Sequence, residues 1–315
     1  MALPVIGLTM GDPSGIGPEL CLQMLALPAL RGVCRMQIYG SRALLARVGQ
    51  KVGLDVPEDM LVYDDVDLDA AGVVPGQVQA ACGAAAARCV ERAVADAQAR
   101  RIVAVVTAPL HKEALHAAGY AYPGHTEMLA ALTGQADVCM MMASADLQVC
   151  LVTTHVALAQ VSPLVTRARV LGTIRLADTA LRRQGVARPR ITVCGLNPHA
   201  GEAGAFGCED ADEILPAVEA ACSRGYLVQG PLPADTAFLP HVRARTDVYV
   251  AMYHDQGLIP FKMVAFESGV NVTLGLPIVR TSPDHGTAFD LAWRGTASGG
   301  SMHAAVEMAL RLARG

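Results

Sequence analysis

Short apolar runs alternate along the chain with longer segments of helix-forming composition. A short continuous run of apolar and β-branched residues is typical of a buried strand. Strands are therefore predicted at residues 5–10, 36–39, 102–106, 138–142, 147–153, 191–196, 248–252 and 270–276. Helices are predicted at residues 42–50, 79–100, 128–132, 166–184, 209–224 and 301–314. The alternation predicts an α/β fold with a mostly parallel sheet, apart from one hairpin at residues 138–153.

Two segments are predicted to be connectors between these elements. Residues 55–76 contain an acidic cluster formed by Asp64, Asp65, Asp67 and Asp69. Such carboxylates can bind a divalent ion, although a solvated connector is the preferred interpretation. Residues 230–236 contain two prolines and are predicted to form a rigid loop that presents Asp235.

The composition excludes several classes of protein. The 315 residues are 52% hydrophobic and 17% charged, which predicts a large core. The net charge is −4 and no basic stripe is present, so no nucleic-acid partner is expected. No apolar run reaches the roughly 18 residues of a membrane helix, and no signal peptide is recognisable, so a cytoplasmic protein without membrane contact is expected. The nine cysteines are scattered without a Cys-x-x-Cys pair, which favours reduced, buried thiols.

Polar side chains with binding chemistry accompany the apolar runs near the C-terminal end. His254 comes just after one predicted strand, and Asn271 lies within the next. Lys262 and Arg280 follow apolar segments, so their charged ends are predicted to project from a rigid base into a cleft. Because ligands of open α/β sheets bind at the carboxyl ends of strands, these residues predict a binding site.

Two further motifs suit anion binding. GDPSGIGPE at residues 11–19 leads from the first strand into a helix that begins near Pro18, and such a turn can hold an anion or the edge of a cofactor. Its spacing differs from the dinucleotide fingerprint G-x-G-x-x-G, so a tight structural turn is an equal alternative. GHTE at residues 124–127 places His125 and Thr126 just before a helix, where a phosphate or carboxylate can bind.

Three histidines share one context, because each lies within a few residues of the end of a predicted strand: His155, His199 and His254. Three imidazoles leave a coordination position open and suit zinc or another divalent transition metal. The residues alone leave a second interpretation open, in which each histidine is an ordinary hydrogen-bonded loop residue.

These motifs continue with NPHAGE at residues 197–202, GPLPADT at 230–236, YHDQG at 253–257 and DHGTA at 284–288. Together they resemble the 4-hydroxythreonine-4-phosphate dehydrogenase family of vitamin B6 (pyridoxine) biosynthesis. The resemblance runs in order from about residue 5 to residue 312. It is specific for the family and less specific for the substrate.

The resemblance implies a homodimer with a shared active site. It also implies an α/β fold like that of isocitrate and isopropylmalate dehydrogenases, with two α/β/α lobes and a central cleft. One lobe is expected at about residues 1–124 plus 255–315, on the cofactor side. The other is expected at about residues 125–254, on the dimer and metal side.

The resemblance further implies roles for the motif residues. A divalent metal, zinc or else magnesium or cobalt, is expected to bind histidines from both subunits: His155, His199 and His254. The small anionic phosphorylated substrate is expected to contact His125, Thr126, Lys262, Asn271 and Arg280. NAD or NADP is expected to bind the loop of Asp284, His285, Gly286, Thr287 and Ala288. The catalytic group is expected to comprise His125 and two candidates for the base, Asp235 and Lys262.

The implied reaction oxidises a secondary alcohol beta to a carboxylate, after which the β-keto acid loses carbon dioxide. The expected substrate is 4-hydroxy-L-threonine 4-phosphate, which gives 3-amino-2-oxopropyl phosphate. Related branches act on D-threonate or D-erythronate 4-phosphate, or on a cis-dihydrodiol dicarboxylate from terephthalate. A non-catalytic metal- or metabolite-binding protein is the alternative from another class, and the intact metal-ligand and base candidates argue against it.

Overall fold

The computed structural model describes residues 3–58 and 60–314. Within these ranges the strands are β1 Val5–Thr9, β2 Arg35–Tyr39, β3 Leu61–Tyr63, β4 Ala104–Thr107, β5 Cys139–Ala143, β6 Gln148–Leu151, β7 Arg190–Cys194, β8 Leu227–Leu232, β9 Val248–Ala251, β10 Val270–Leu274 and β11 Arg280–Pro283. The α-helices are α1 Gly17–Ala26, α2 Arg42–Val52, α3 Ala80–Gln98, α4 Lys112–Ala117, α5 His125–Thr133, α6 Val161–Leu164, α7 Arg167–Arg183, α8 Leu215–Ser223, α9 Ala234–Ala237, α10 Pro240–Arg243, α11 His254–Ala265 and α12 Gly300–Arg314. The mixture of strands and helices confirms the predicted α/β class.

The chain divides into two compact units, each with its own strands and core. Unit 1 comprises Met1–Ala136 and Leu276–Ala313, and unit 2 comprises Asp137–Gly275. The expected boundaries, after residues 124 and 254, lie earlier in the chain. The difference arises because α5 packs on α3 in unit 1, whereas α11 packs on β6 and β9 in unit 2.

The sheet of unit 1 is entirely parallel, in the order β3-β2-β1-β4-β11. Its central strands are apolar along their length because helices cover parallel sheets on both faces. Ile6, Leu8, Ile38 and Val105 are completely buried there. The long helix α3 packs against β1, β2 and β4 and also contacts α4 and α5.

The sheet of unit 2 is mixed, in the order β10-β5-β6-β9-β7-β8. Strands β6, β9, β7 and β8 are parallel neighbours, and β5 is antiparallel to both β6 and β10. The predicted hairpin is confirmed, with Met142 opposite Val149 and the Ser144 hydroxyl oxygen accepting hydrogen bonds from two backbone amides of its turn. The core includes Tyr249 of β9 and Phe261 of α11.

Several expectations for individual segments were wrong. Residues 55–76 are not all connector, because Leu61–Tyr63 form the edge strand β3. The prediction of a rigid loop at residues 230–236 is also wrong, since the first half of this segment ends β8 and Asp235 lies in the short helix α9. Local composition misled in both cases, because pairing with a neighbouring strand overrides a weak local preference.

The charged residues near the C-terminal end also sit on elements that their sequence did not predict. Lys262 lies on α11, which continues through Pro260 because Leu258, Phe261 and Ala265 bury one helical face. Arg280 does not follow a strand but opens β11, whose polar sequence Arg-Thr-Ser-Pro is nevertheless buried.

The cysteine and membrane expectations can be compared with the described residues directly. All nine cysteines are free thiols. Seven of them are buried, as predicted, whereas Cys208 and Cys222 are exposed. In the described ranges, none of the helices has the length and apolar character that crossing a bilayer requires.

Helix α3 lies so close to α4 that one position admits no side chain. A Cβ atom at Gly83 would lie 2.0 Å from the backbone oxygen of Ala114, whereas one at Gly172 of α7 would meet nothing within 4 Å. We expect Gly83→Ala to lower the free energy of unfolding by about 1–3 kcal/mol through overpacking. The matched Gly172→Ala should raise it by up to about 1 kcal/mol through helix propensity. Urea denaturation of both variants measures the contrast, and equal effects would contradict it.

Candidate active site

The glycine-rich turn of unit 1 is a tightly packed structure at the end of β1. Gly11 has φ +66°, and a Cβ atom there would lie 2.3 Å from the Pro109 oxygen. A Cβ atom at Gly17 would lie 2.1 Å from the Met10 oxygen, so this position also needs glycine. The Ile16 amide donates a 3.1 Å hydrogen bond to the Thr287 carbonyl, which joins the turn to the loop at residues 284–288. These contacts give the motif the structural role that the sequence left as one of two alternatives.

Asp12, within this turn, is a buried carboxylate with one unsatisfied oxygen. Its Oδ1 atom accepts a 2.8 Å hydrogen bond from the Ser14 amide, while Oδ2 is buried without a partner among the described residues. Burial raises the pKa of Asp12 to about 6, against the opposing effects of Ser14 and of the nearby His111. The His111 ring stacks on Phe289 with centroids 4.5 Å apart. Asp12 Oδ2 and His111 Nδ1, which is also buried without a partner among the described residues, fit a polar ligand beside the predicted cofactor loop.

A second group of residues in unit 1 forms a buried positive cluster. Arg280 is 2% exposed and donates a 2.6 Å hydrogen bond to the Thr107 hydroxyl at the carboxyl end of β4. Burial lowers the pKa of Arg280 to about 9, so the guanidinium remains charged at neutral pH. Burial and the charge of Arg280 lower the pKa of His125, whose buried Nε2 atom has no partner in the described chain. Because His125 and Thr126 begin α5, the helix dipole adds to the attraction for an anion.

In unit 2, two of the predicted metal ligands lie together. His155 and His254 follow β6 and β9, which are parallel neighbours, and their ring centroids are 5.6 Å apart. His254 Nδ1 is 2.7 Å from the Asp255 carboxylate, which leaves Nε2 free to face a ligand. A carboxylate on the second ring nitrogen is a common arrangement for a metal-binding histidine. This pair of imidazoles therefore fits a divalent metal ion.

The third predicted ligand, His199, lies in an unusual backbone segment after β7. Residues 199–203 all have positive φ, with values of 52°, 52°, 84°, 43° and 53°. The start of this turn is fixed by Asp210, whose carboxylate accepts hydrogen bonds from the amides of Leu196 and Asn197 at 2.8 and 3.0 Å. In residues 3–58 and 60–314, no three histidine, cysteine or acidic side chains of one chain converge as a metal site. The joint role of the three histidines stays a prediction.

The remaining predicted residues of unit 2 lie on three different elements. Asp235 on α9 and Lys262 on α11 are exposed, and the Lys262 ammonium lies 5.9 Å from the centroid of the Phe266 ring. Asn271 faces Met142 across the β10–β5 pair, and its Oδ1 atom is buried without a hydrogen bond in the described residues. Their substrate and proton-transfer roles stay predictions.

A family comparison matches most of the chain. The family described as "Pyridoxal phosphate biosynthetic protein PdxA" matches residues 32–309. The chain belongs to the PdxA family. This confirms the family resemblance that the six motifs predicted. The motifs lie in the segments of units 1 and 2 that carry the polar residues described above.

Relatives of this PdxA protein carry two different names. A D-threonate 4-phosphate dehydrogenase of Cupriavidus necator is 47% identical over 99% of this chain and 98% of its own. A 4-hydroxythreonine-4-phosphate dehydrogenase of Geobacter metallireducens is also 47% identical, over 99% and 96%. The crystal structure of a 4-hydroxythreonine-4-phosphate dehydrogenase of Klebsiella pneumoniae is 44% identical, with a TM-score of 0.88 over 98% and 99% of the two chains.

A more distant neighbour bears on the fold alone. A β-decarboxylating dehydrogenase of Thermococcus kodakarensis is 17% identical, with a TM-score of 0.52 over 97% of this chain and 82% of that chain. Its similarity supports an α/β architecture shared with dehydrogenases.

Sequence reasoning did not single out three side chains of the candidate site in unit 1: Asp12, Thr107 and His111. Each lies within five residues of the carboxyl end of β1 or β4. The signal that found the histidines, a polar residue just beyond an apolar run, was therefore available for them. The burial of Asp12 Oδ2 and His111 Nδ1 without a partner among the described residues could not be predicted, because it depends on the packed fold.

The raised pKa of Asp12 predicts a pH-dependent stability. In the unfolded chain this carboxyl titrates near 3.8, so between that pH and about 6 the folded protein retains a proton that the unfolded chain has lost. Stability contributed by Asp12 is therefore lost as the pH rises through this window. We expect Asp12→Asn to gain stability relative to the wild type, by up to about 3 kcal/mol between pH 4 and pH 7. Urea unfolding across this range measures the difference, and a constant difference would contradict the prediction.

Proposed function

We propose that this PdxA protein is a metal-dependent NAD(P) dehydrogenase of a small phosphorylated hydroxy acid. It oxidises the C3 hydroxyl of a four-carbon acid 4-phosphate to a ketone, and the resulting β-keto acid loses carbon dioxide. The observation that carries the proposal is the buried cluster of Arg280 and His125, which would form an anion pocket at the N-terminus of α5. A phosphate or carboxylate is the complement of such a pocket.

The residues of unit 1 would bind and orient the anionic groups and the cofactor. Arg280, fixed by Thr107, would form a paired contact with phosphate or carboxylate oxygens, and His125 and Thr126 would donate further hydrogen bonds. NAD(P)⁺ bound along the loop at residues 284–288 would supply the hydride acceptor. That loop is joined to the glycine-rich turn, so both segments would shape the cofactor pocket.

The histidines of unit 2 would hold the metal. A divalent ion bound by His155, His199 and His254, with zinc preferred and magnesium or cobalt as alternatives, would supply a Lewis acid for alcohol oxidation and decarboxylation. Asp255 would orient the His254 ring through the Nδ1 contact of 2.7 Å. Asp235 or Lys262 would take the hydroxyl proton, and both side chains are exposed, on α9 and α11.

The substrate is proposed at the level of two closely related acids. 4-Hydroxy-L-threonine 4-phosphate and D-threonate 4-phosphate share the C1 carboxylate, the C3 hydroxyl and the C4 phosphate, and differ in an amino or hydroxyl group at C2. The first acid would give 3-amino-2-oxopropyl phosphate for pyridoxal phosphate synthesis, and the second would give dihydroxyacetone phosphate. The second is a specific candidate because a relative of that name is 47% identical.

We also propose a homodimer whose two subunits share the active site, and lobes arranged as in isocitrate and isopropylmalate dehydrogenases. Each histidine-bearing segment of unit 2 carries large apolar side chains that a single chain exposes. Leu158 is 70% exposed after His155, Phe206 is 52% exposed after His199, and α11 and the residue after it expose Ile259, Met263 and Phe266 by 61%, 82% and 72%. Burying such a surface against a second copy would remove it from water.

The dimer proposal predicts a mass of about twice the 32.9 kDa chain. We expect Met263→Glu to dissociate the dimer, because a charge would be buried against an apolar partner. The matched Leu215→Glu, which changes a leucine exposed by 40% on α8, should leave the mass unchanged. Light scattering distinguishes these results, and a fully active wild-type monomer would rule the proposal out.

The activity is tested by NAD(P)H formation at 340 nm. The panel contains 4-hydroxy-L-threonine 4-phosphate, D-threonate and D-erythronate 4-phosphates and a terephthalate cis-dihydrodiol, each with NAD⁺ or NADP⁺ and with zinc, magnesium or cobalt. We expect turnover of at least one phosphorylated acid with release of carbon dioxide. No reduction of either cofactor by any phosphorylated acid would overturn the proposal.

Replacing Arg280 tests the anion pocket. We expect Arg280→Lys to lower kcat/KM by about tenfold to hundredfold, because the loss of a paired, charge-assisted contact costs about 1.5–3 kcal/mol. KM for NAD⁺ should change little. The control is Arg190→Lys, at a side chain 44% exposed in an ion pair with Asp247, and its kcat/KM should stay near that of the wild type. A specific loss of NAD⁺ binding by Arg280→Lys would mean that this residue belongs to the cofactor pocket.

A further inference from the structure

The turns that carry His155 and His254 are joined by two hydrogen bonds, one from a backbone amide and one from a side-chain hydroxyl. Thr153, two residues before His155, donates to the Met252 carbonyl from its amide at 3.1 Å and from its hydroxyl at 2.7 Å. Met252 lies two residues before His254. Thr153 and Met252 are both buried, so water does not compete for these bonds.

The backbone amide of the same residue, Met252, is bound by the side chain of Gln256. The Gln256 Oε1 atom accepts a 2.7 Å hydrogen bond from the Met252 amide, and its Nε2 atom donates a 2.7 Å bond to the Gly195 carbonyl. Gln256 is 8% exposed, and Gly195 is the first residue after β7. One side-chain amide therefore links the turn after β9 to the turn after β7.

The Gly195 carbonyl belongs to a peptide group that is held on both sides. The other polar atom of this group is the Leu196 nitrogen, which donates to Asp210 Oδ1 at 2.8 Å. Because a peptide group is planar, bonds to both its oxygen and its nitrogen fix its orientation. Pro198 then restricts the backbone before the left-handed segment that begins at His199. The hydrogen bonds thus form one buried chain from Thr153 through Met252, Gln256 and Gly195 to Asp210.

We propose that Gln256 is a positioning residue that fixes the backbone of the His254 turn and of the His199 turn for metal binding. The proposal rests on the proposed metal site, whether the three histidines bind within one chain or across two subunits. Without the Gln256 side-chain amide, the buried Gly195 carbonyl would lack its hydrogen-bond donor. The His254 and His199 turns would also lose the side chain that links them in the series of hydrogen bonds described above. Partners that orient metal ligands from outside commonly change metal affinity by about tenfold to hundredfold when they are removed.

Two variants test this role against the wild type in zinc titrations with a chromophoric chelator as competitor. Gln256→Met removes both hydrogen bonds at similar side-chain length. Gln256→Glu retains the acceptor for Met252 and replaces the donor by an oxygen, so it remains informative if the first variant does not fold. We expect the zinc Kd to rise about tenfold to hundredfold in both variants. The zinc concentration that half-saturates activity should rise equally, with kcat at saturating zinc within about twofold of the wild type.

The matched control is Gln148→Met at the start of β6, the opposite end of that strand from His155. Gln148 also makes two side-chain hydrogen bonds, to Gln184 at 3.1 and 3.0 Å, and its replacement should leave the zinc Kd unchanged. A lower melting temperature of zinc-free Gln256 variants with wild-type zinc affinity would show a purely structural role and overturn the inference. If the wild type binds no zinc, or binds it as tightly as His254→Ala, the metal assignment itself fails, which is a separate result.

Discussion

In both units, the polar residues that follow strands depend on parallel strand pairing for their position. Parallel neighbours run in the same direction, so the residues that follow them emerge at one edge of the sheet. In unit 2 this brings together the turns after β6, β9 and β7, which carry the three histidines. In unit 1 the same rule places Asp12 after β1 and His111 after β4. Strand direction therefore places these turns at one edge of the sheet in each unit, whereas Arg280 lies at the start of β11.

The backbone after β7 is strained, and polar contacts from neighbouring residues stabilise it. Four of the five left-handed residues at 199–203 have a side chain, and each such residue costs roughly 1–2 kcal/mol. A strained segment persists only where its surroundings determine it. Here Asp210 accepts from the Leu196 and Asn197 amides, while the Asn197 side chain donates to Glu209 at 2.8 Å. The turn is thus supported by buried polar contacts rather than by apolar packing alone.

Much of this arrangement could be predicted from the sequence, because its signals are local. The end of an apolar run marks a strand end, which placed His155 and His199 after strands correctly. The predicted helix start at Thr166 is also correct within one residue, since the Thr166 hydroxyl caps α7 by accepting a 3.3 Å hydrogen bond from the Arg169 amide. Elements that depend on distant contacts could not be predicted in this way. The polar strand β11 is buried because it pairs with β4, and α11 continues past Pro260 because its apolar face packs on β6 and β9.

The proposed anion pocket of Arg280 and His125 also shows, in electrostatic terms, what the sequence alone cannot predict. Its residue types were evident in the sequence, but a guanidinium binds an anion strongly only where water is excluded, and burial is a property of the fold. Because Arg280 stays charged at neutral pH while the lowered pKa keeps His125 neutral, the two residues act differently on an anion. Arg280 supplies net charge, whereas the neutral imidazole supplies one donor and one acceptor whose roles depend on its tautomer. A buried cation favours an anionic ligand over an uncharged one, so the proposed pocket would select for charge first and for the arrangement of ligand oxygens second.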